Sequence, residues 1–175
     1  MADISKAVAY ILKNEDSPRH PGLITVDRGG TTRLGIAQKS HPNVRPDFFT
    51  YAMSYADAVV VATGIYNSDY AAPLRLSEVA SQPIANKLLD IAVNCGVVAS
   101  AQIAQGALNA AGQSVVVDHK VGPGTIAAIN SANTPVLMDK IINLLEEHYR
   151  QVAITVRASA NEISAWATRA AKPGI

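Results

Sequence analysis

A mainly α-helical fold with one small β-hairpin follows from three features of this sequence. Hydrophobic residues make up 49% of its 175 positions and are rich in Ala and Val, with only 5% aromatics. That composition suits closely packed helices better than a β-sandwich. Apolar residues recur at helical spacing behind side chains able to cap a helix. One stretch, "LITVDRGGTTRLGIA", reads instead as short extended segments around a glycine turn.

The elements follow in order. After Asp3 as N-cap, the spacing of Ile4, Ala7, Val8, Ile11 and Leu12 predicts a first helix to about Asn14, with Glu15 at its C-terminal end. Pro18, Pro21 and Gly22 forbid its continuation, and the hairpin comes next. Ser54 with Asp57 resembles a capping box that opens a helix through "ADAVVVATGIYNSDY". Ser81 and Pro83 open another, "PIANKLLDIAVNCG", closed by Gly96. On it Ile84, Leu88, Ile91 and Cys95 form an apolar stripe, while Lys87, Asp90 and Asn94 share a different face of the kind that borders a groove. A helix around 99–111 ends near Gly112, and "VVVDHKVGPGTIAAIN" reads as a short strand, a turn and a helix. Thr134 and Pro135 start a long amphipathic helix through "VLMDKIINLLEEHYRQVAI", and Ser159 with Glu162 caps a last one. In all, about seven helices and one hairpin are expected, without a low-complexity linker or an internal repeat.

Charge and motifs exclude several classes of function. A net charge of +1, from 15 Lys and Arg against 14 Asp and Glu, offers no electrostatic footprint for nucleic acid. The longest apolar stretches, such as "AVVVATGI", fall well short of the roughly 20 residues that span a bilayer, so no stable membrane insertion is expected. The N-terminal residues lack the pattern of a secretion signal, and Cys95, the single cysteine, is compatible with a reducing cytosol. His20, His41, His119 and His148 show neither paired spacing on one helix nor cysteine partners, so no metal is expected. "VGPGT" and "DRGGTT" match neither a dinucleotide fingerprint nor a phosphate loop, no nucleophile elbow is present, and no cofactor is implied.

Two acids remain. Taken alone, Glu15 at a helix end and Asp27 before Gly-Gly read either as a solvated charge and a turn former, or as an acid and base facing each other across a cleft. The blocks "ISKAVAYILKNE", "DRGGTTRLGI", "IYNSDYAAPL" and "LLDIAVNCG" resemble, in order, those of the glycoside hydrolase family 108 lysozymes, N-acetylmuramidases found in phage endolysins and related bacterial proteins. The remainder resembles the predicted peptidoglycan-binding region that accompanies that domain. The resemblance implies a lysozyme-like helical fold, with a catalytic domain over 1–96 and a helical peptidoglycan-binding region over 97–175 packed on it.

The resemblance also implies roles. Glu15 matches the family's catalytic Glu, Asp27 the hairpin Asp, Thr32 the hairpin Thr, and Asn94 the Asn of the later helix. Glu15 is followed by Asp-Ser-Pro where the family has Gly-Gly-Tyr, extra residues separate it from Asp27, and Ala71 stands where a Trp is common. The implied activity is hydrolysis of the β-1,4 bond between N-acetylmuramic acid and N-acetylglucosamine in peptidoglycan. Glu15 would be the general acid, Asp27 the second carboxylate, and Thr32 a holder of the attacking water or of Asp27. Tyr66, Tyr70, Asp90 and Asn94 are expected on the cleft wall, where aromatic faces stack on sugars and amides pair with N-acetyl groups. A monomer is expected, held in the cytoplasm of the bacterial host until a holin opens the membrane. Two rivals stand beside this reading: a non-catalytic wall-binding or structural phage protein, and a lytic transglycosylase that relies on one Glu.

Overall fold

The computed structural model describes residues 1–16, 19–27 and 30–174, the side chain of Asp27 excepted. Among the described residues there are seven α-helices, and six of them together with a three-stranded antiparallel sheet surround the seventh, which is buried. Helix α1 (Ile4–Glu15) begins at Asp3, whose carboxylate accepts from the backbone N–H groups of Ser5 and Lys6, and it buries Ala7, Val8 and Ile11. The hairpin pairs β1 (Ile24–Asp27) with β2 (Gly30–Arg33), setting Thr25 opposite Thr32 and Asp27 opposite Gly30. A two-residue strand, β3 (Ile36–Ala37), extends it beyond the expected two strands. Arg33 is buried, and its guanidinium donates to the carbonyls of Phe48, Thr50 and Met53, which ties the sheet to the short helical turn Pro46–Phe49.

Ser54 caps α2 (Tyr55–Ile65) by accepting from the Asp57 N–H, and the helix runs on into a π-helical turn over Tyr66–Ala71. Helix α3 (Gln82–Cys95) starts at Ser81 and stops at Gly96, whose φ of 89° suits a residue without a Cβ. Every residue from Ile84 to Ala92 is buried, so α3 is the axis of the molecule. Helices α4 (Val97–Ala110), α5 (Pro123–Ser131), α6 (Thr134–Val156) and α7 (Ala160–Ala170) follow. α3 packs on α1 and α4, α4 on α6, and α6 on α7, where the rings of Tyr149 and Trp166 stack at 5.7 Å. The Ser159–Glu162 pair closes a capping box at the start of α7. None of the described helices is long and apolar enough to cross a membrane.

Two expectations are corrected. "VVVD" forms no strand: the N–H of Val115 donates to Asn109 Oδ1 at 2.9 Å and its carbonyl accepts from Asn109 Nδ2 at 3.0 Å. One side-chain amide thus satisfies the backbone groups that a neighbouring strand would have paired. The polar face of α3 borders no open groove at Lys87 and Asp90, which are fully buried. The end of α7 covers it. Lys87 Nζ donates to the carbonyls of Arg169 (3.2 Å) and Ala170 (2.8 Å), and Asn86 Nδ2 donates to that of Gly174 (2.7 Å).

Candidate active site

Glu15 is the last residue of α1, and the chain leaves the helix at Asp16 in an extended conformation. Asp16 fixes that exit: its Oδ1 accepts from the Gly22 N–H at 2.7 Å and its Oδ2 from the Tyr55 hydroxyl at 2.8 Å. The Glu15 side chain, 19% exposed, lies against the Leu34–Gly35 turn between β2 and β3. Gly35 has φ +73°, and a Cβ placed there would stand 2.8 Å from Glu15 Cγ and 2.6 Å from Tyr66 Oη. Below the turn Tyr66 is fully buried, its hydroxyl donating to the Leu34 carbonyl at 2.7 Å. Burial, and after it the charge of Glu15, raises the Tyr66 phenol above its ordinary range, so it stays a donor.

Glu15, Asp16, Leu23, Thr25, Thr32, Leu34 and Gly35 line a cleft of about 320 Å³. Thr25 and Thr32 face each other across the β1–β2 ladder, so two hydroxyls border the space beside the Glu15 carboxyl. Asp27 ends β1 opposite Gly30, and its side chain lies outside the described residues.

A cation reaches this acid from the far end of the chain. Arg169, in the last turn of α7, brings Nη2 to 2.5 Å from Glu15 Oε1 and 2.8 Å from Asp90 Oδ1, while its Nε lies 3.4 Å from Asp90 Oδ2. Burial alone would lower the Arg169 guanidinium, but the carboxylates of Asp90 and Glu15 outweigh it and raise it further. Lys87 behaves in the opposite way: burial pushes its ammonium down to about 8, with Asp90 only partly opposing.

Of the expected site residues, Glu15 and Thr32 share the cleft. Tyr66 lies beneath the Leu34–Gly35 turn and does not line the cleft, and a fully buried ring offers no face to a sugar. Tyr70 is half-buried beside His41, its hydroxyl 3.3 Å from Nε2. Asp90 is committed to Arg169, and Asn94 Nδ2 donates to the Asp90 carbonyl one turn back along α3 at 2.9 Å. These four residues therefore do not assemble into one wall. Thr25 and Arg169 are additions that the sequence did not single out; pairing of Thr25 with Thr32 was readable from the hairpin register, whereas nothing local marks Arg169. Among the described residues no group of three or more His, Cys, Asp and Glu is placed to hold a metal ion.

Residues 20–96 match the family model for glycosyl hydrolase 108, and residues 99–171 match that for a predicted peptidoglycan domain. Glu15 lies just ahead of the first match. The solved structure of SagA from Brucella abortus is similar in fold, with a TM-score of 0.63 over 95% of this chain and 92% of that chain, at 18% identity. No curated protein matches the chain significantly.

Proposed function

We propose that this chain, whose residues 20–96 match the glycosyl hydrolase 108 family and whose residues 99–171 match a peptidoglycan domain, is a muramidase cutting the β-1,4 bond between N-acetylmuramic acid and N-acetylglucosamine. Glu15 is the general acid that protonates the departing glycosidic oxygen. Asp27 is the second carboxylate, and the Thr32 hydroxyl holds the attacking water or that carboxylate.

The observation that carries the proposal is the setting of Glu15. Its carboxyl ends a helix at the edge of a cleft whose hairpin side presents two threonine hydroxyls, and a glycine with no room for a Cβ packs against its stem. A glycosidase of this kind uses a pair of carboxyl groups flanking the scissile bond, and a Glu held at the edge of a polar cleft suits the first of them. Mass spectrometry of fragments released from purified peptidoglycan tests the proposal. Reducing muramic ends are expected. Reducing glucosamine ends would move the cut to the other bond, anhydro-muramic ends would make the enzyme a transglycosylase, and no fragments would leave a wall-binding protein.

A further inference from the structure

We propose that Arg169 is a positioning residue for the reaction: the end of α7, within the peptidoglycan domain, holds the Glu15 carboxyl in its working orientation. This rests on the reading of Glu15 as the general acid.

Glu15 stands where a helix ends, and its side chain has several rotatable bonds. Gly35 confines the stem, but what fixes the carboxyl itself among the described contacts is the hydrogen bond from Arg169 Nη2 to Oε1. That bond occupies Oε1 and assigns Oε2 to the substrate. A surface ion pair would hold such a group weakly, because two long side chains must both be ordered in water. This one is different. Arg169 is only 20% exposed and Asp90 1%, and the guanidinium meets Asp90 through both Nε and Nη2, so a rigid planar fork is seated on the buried axis of the molecule.

The backbone that carries Arg169 is held by the same helix. Lys87 Nζ donates to its carbonyl and to that of Ala170, and Asn86 donates to the carbonyl of Gly174. At Gly174 the chain runs so close to α3 that a Cβ would stand 2.3 Å from the Pro83 carbonyl oxygen. Both ends of the arginine are therefore fixed relative to α3, and through it Glu15 is fixed relative to the hairpin cleft. Displacing a reacting group by about 1 Å can cost on the order of 10²-fold in rate, so a clamp of this kind acts on turnover more than on substrate capture.

The test compares full-length wild type with Arg169→Met, Arg169→Lys, Asp90→Asn and the Arg169→Met/Asp90→Asn double variant, measuring kcat and KM on soluble peptidoglycan fragments and circular dichroism for the fold. Expected are a fall in kcat of about tenfold or more for Arg169→Met with KM little changed, partial recovery in Arg169→Lys, and a double variant no worse than the poorer single one. Wild-type kcat in a folded Arg169→Met overturns the proposal, and so does a rise in kcat, which would make the contact a restraint on Glu15. Should Arg169→Met fail to fold, Arg169→Lys decides by the same measure: lowered kcat supports the clamp and wild-type kcat overturns it. Glu15→Gln, run alongside, separates the two levels. If it keeps more than a tenth of wild-type activity the general-acid reading fails; if it is inactive while the Arg169 variants match wild type, only the clamp fails.

Discussion

The Tyr66 hydroxyl donates to the Leu34 carbonyl over 2.7 Å, tying the π-helical turn to the β-turn on which Glu15 rests. Three elements distant in sequence thus meet under one carboxyl group. Tyr66→Phe keeps the ring and leaves that carbonyl without its donor. The expected loss is about 1–3 kcal/mol of stability, read as a fall in Tm of roughly 2–4 °C per kcal/mol for a chain of this size. An unchanged Tm would show that the bond contributes nothing.

Gly35→Ala is expected to be worse in both stability and activity. The new Cβ would meet Tyr66 Oη at 2.6 Å and Glu15 Cγ at 2.8 Å in a left-handed backbone conformation, so either the turn or Glu15 must shift. The comparison is Gly64→Ala within α2, where a Cβ meets nothing within 4 Å. That change should be neutral or stabilising by up to about 1 kcal/mol, with activity retained. Equal activity of the two variants would mean that the Gly35 contact does not place Glu15.

How much of this was legible in the sequence depends on the range of the interaction. Asp3, Ser54, Ser81 and Ser159 were readable as helix starts because each cap closes a bond within a few residues of itself. The hairpin was readable for the same reason. The face of Lys87 and Asp90 was misread as the border of a groove because its cover is α7, whose carbonyls and arginine come from residues 82, 83 and 79 positions away. Tyr66 looked like a sugar platform because nothing local shows that a π-helical turn rotates it under the sheet. "VVVD" has the composition of a strand, and composition does not reveal that the Asn109 amide takes the partner's place.

Glu15→Gln should fold as wild type and lose about 10²- to 10⁴-fold in cleavage rate, since an amide keeps the shape but gives no proton. Asp27→Ala should also lower the rate. On the proposed mechanism, with one carboxyl protonated and another ionised, the rate from about pH 4 to 9 should be bell-shaped, with Asp27→Asn displacing the acid limb alone. If Asp27→Ala matches wild type, Asp27 is not the second carboxylate, and Asp16, the other acid lining the cleft, is the next to test.

A fragment of residues 1–96 should fail to melt cooperatively. It lacks α4, against which α3 packs, and the end of α7 that satisfies Asn86, Lys87 and Asp90. Removing one side of a buried ion pair typically costs about 3–5 kcal/mol, a large share of a domain's stability. Calorimetry of the purified fragment checks this; a sharp transition with full lytic activity would show that the hydrolase region is self-sufficient.

Lys87 gives the stability a pH dependence of known sign. Its ammonium is held at about 8 by burial against an ordinary value of 10.5, so between those two pH values the unfolded chain binds more protons than the folded one. The destabilisation due to its buried charge is therefore complete below pH 8 and is relieved as the pH rises towards 10.5, by at most about 3 kcal/mol. Cys95, Tyr66 and Tyr149, whose buried groups are raised, act in the opposite direction at high pH. The difference between wild type and Lys87→Met isolates the lysine. From pH 7.5 to 10, denaturant titrations should show wild type gaining stability relative to the variant, and a flat difference would mean that Lys87 titrates normally.

The 154 positions between Glu15 and Arg169 also set a clock. A ribosome adds about 5–20 residues per second, so roughly 8–30 s separate the synthesis of the acid from that of its clamp. Throughout that interval the carboxyl lacks its arginine. If Glu15 is the acid and Arg169 its clamp, full turnover waits until α7 is made, and shorter products of stalled translation carry the acid without the group that aims it.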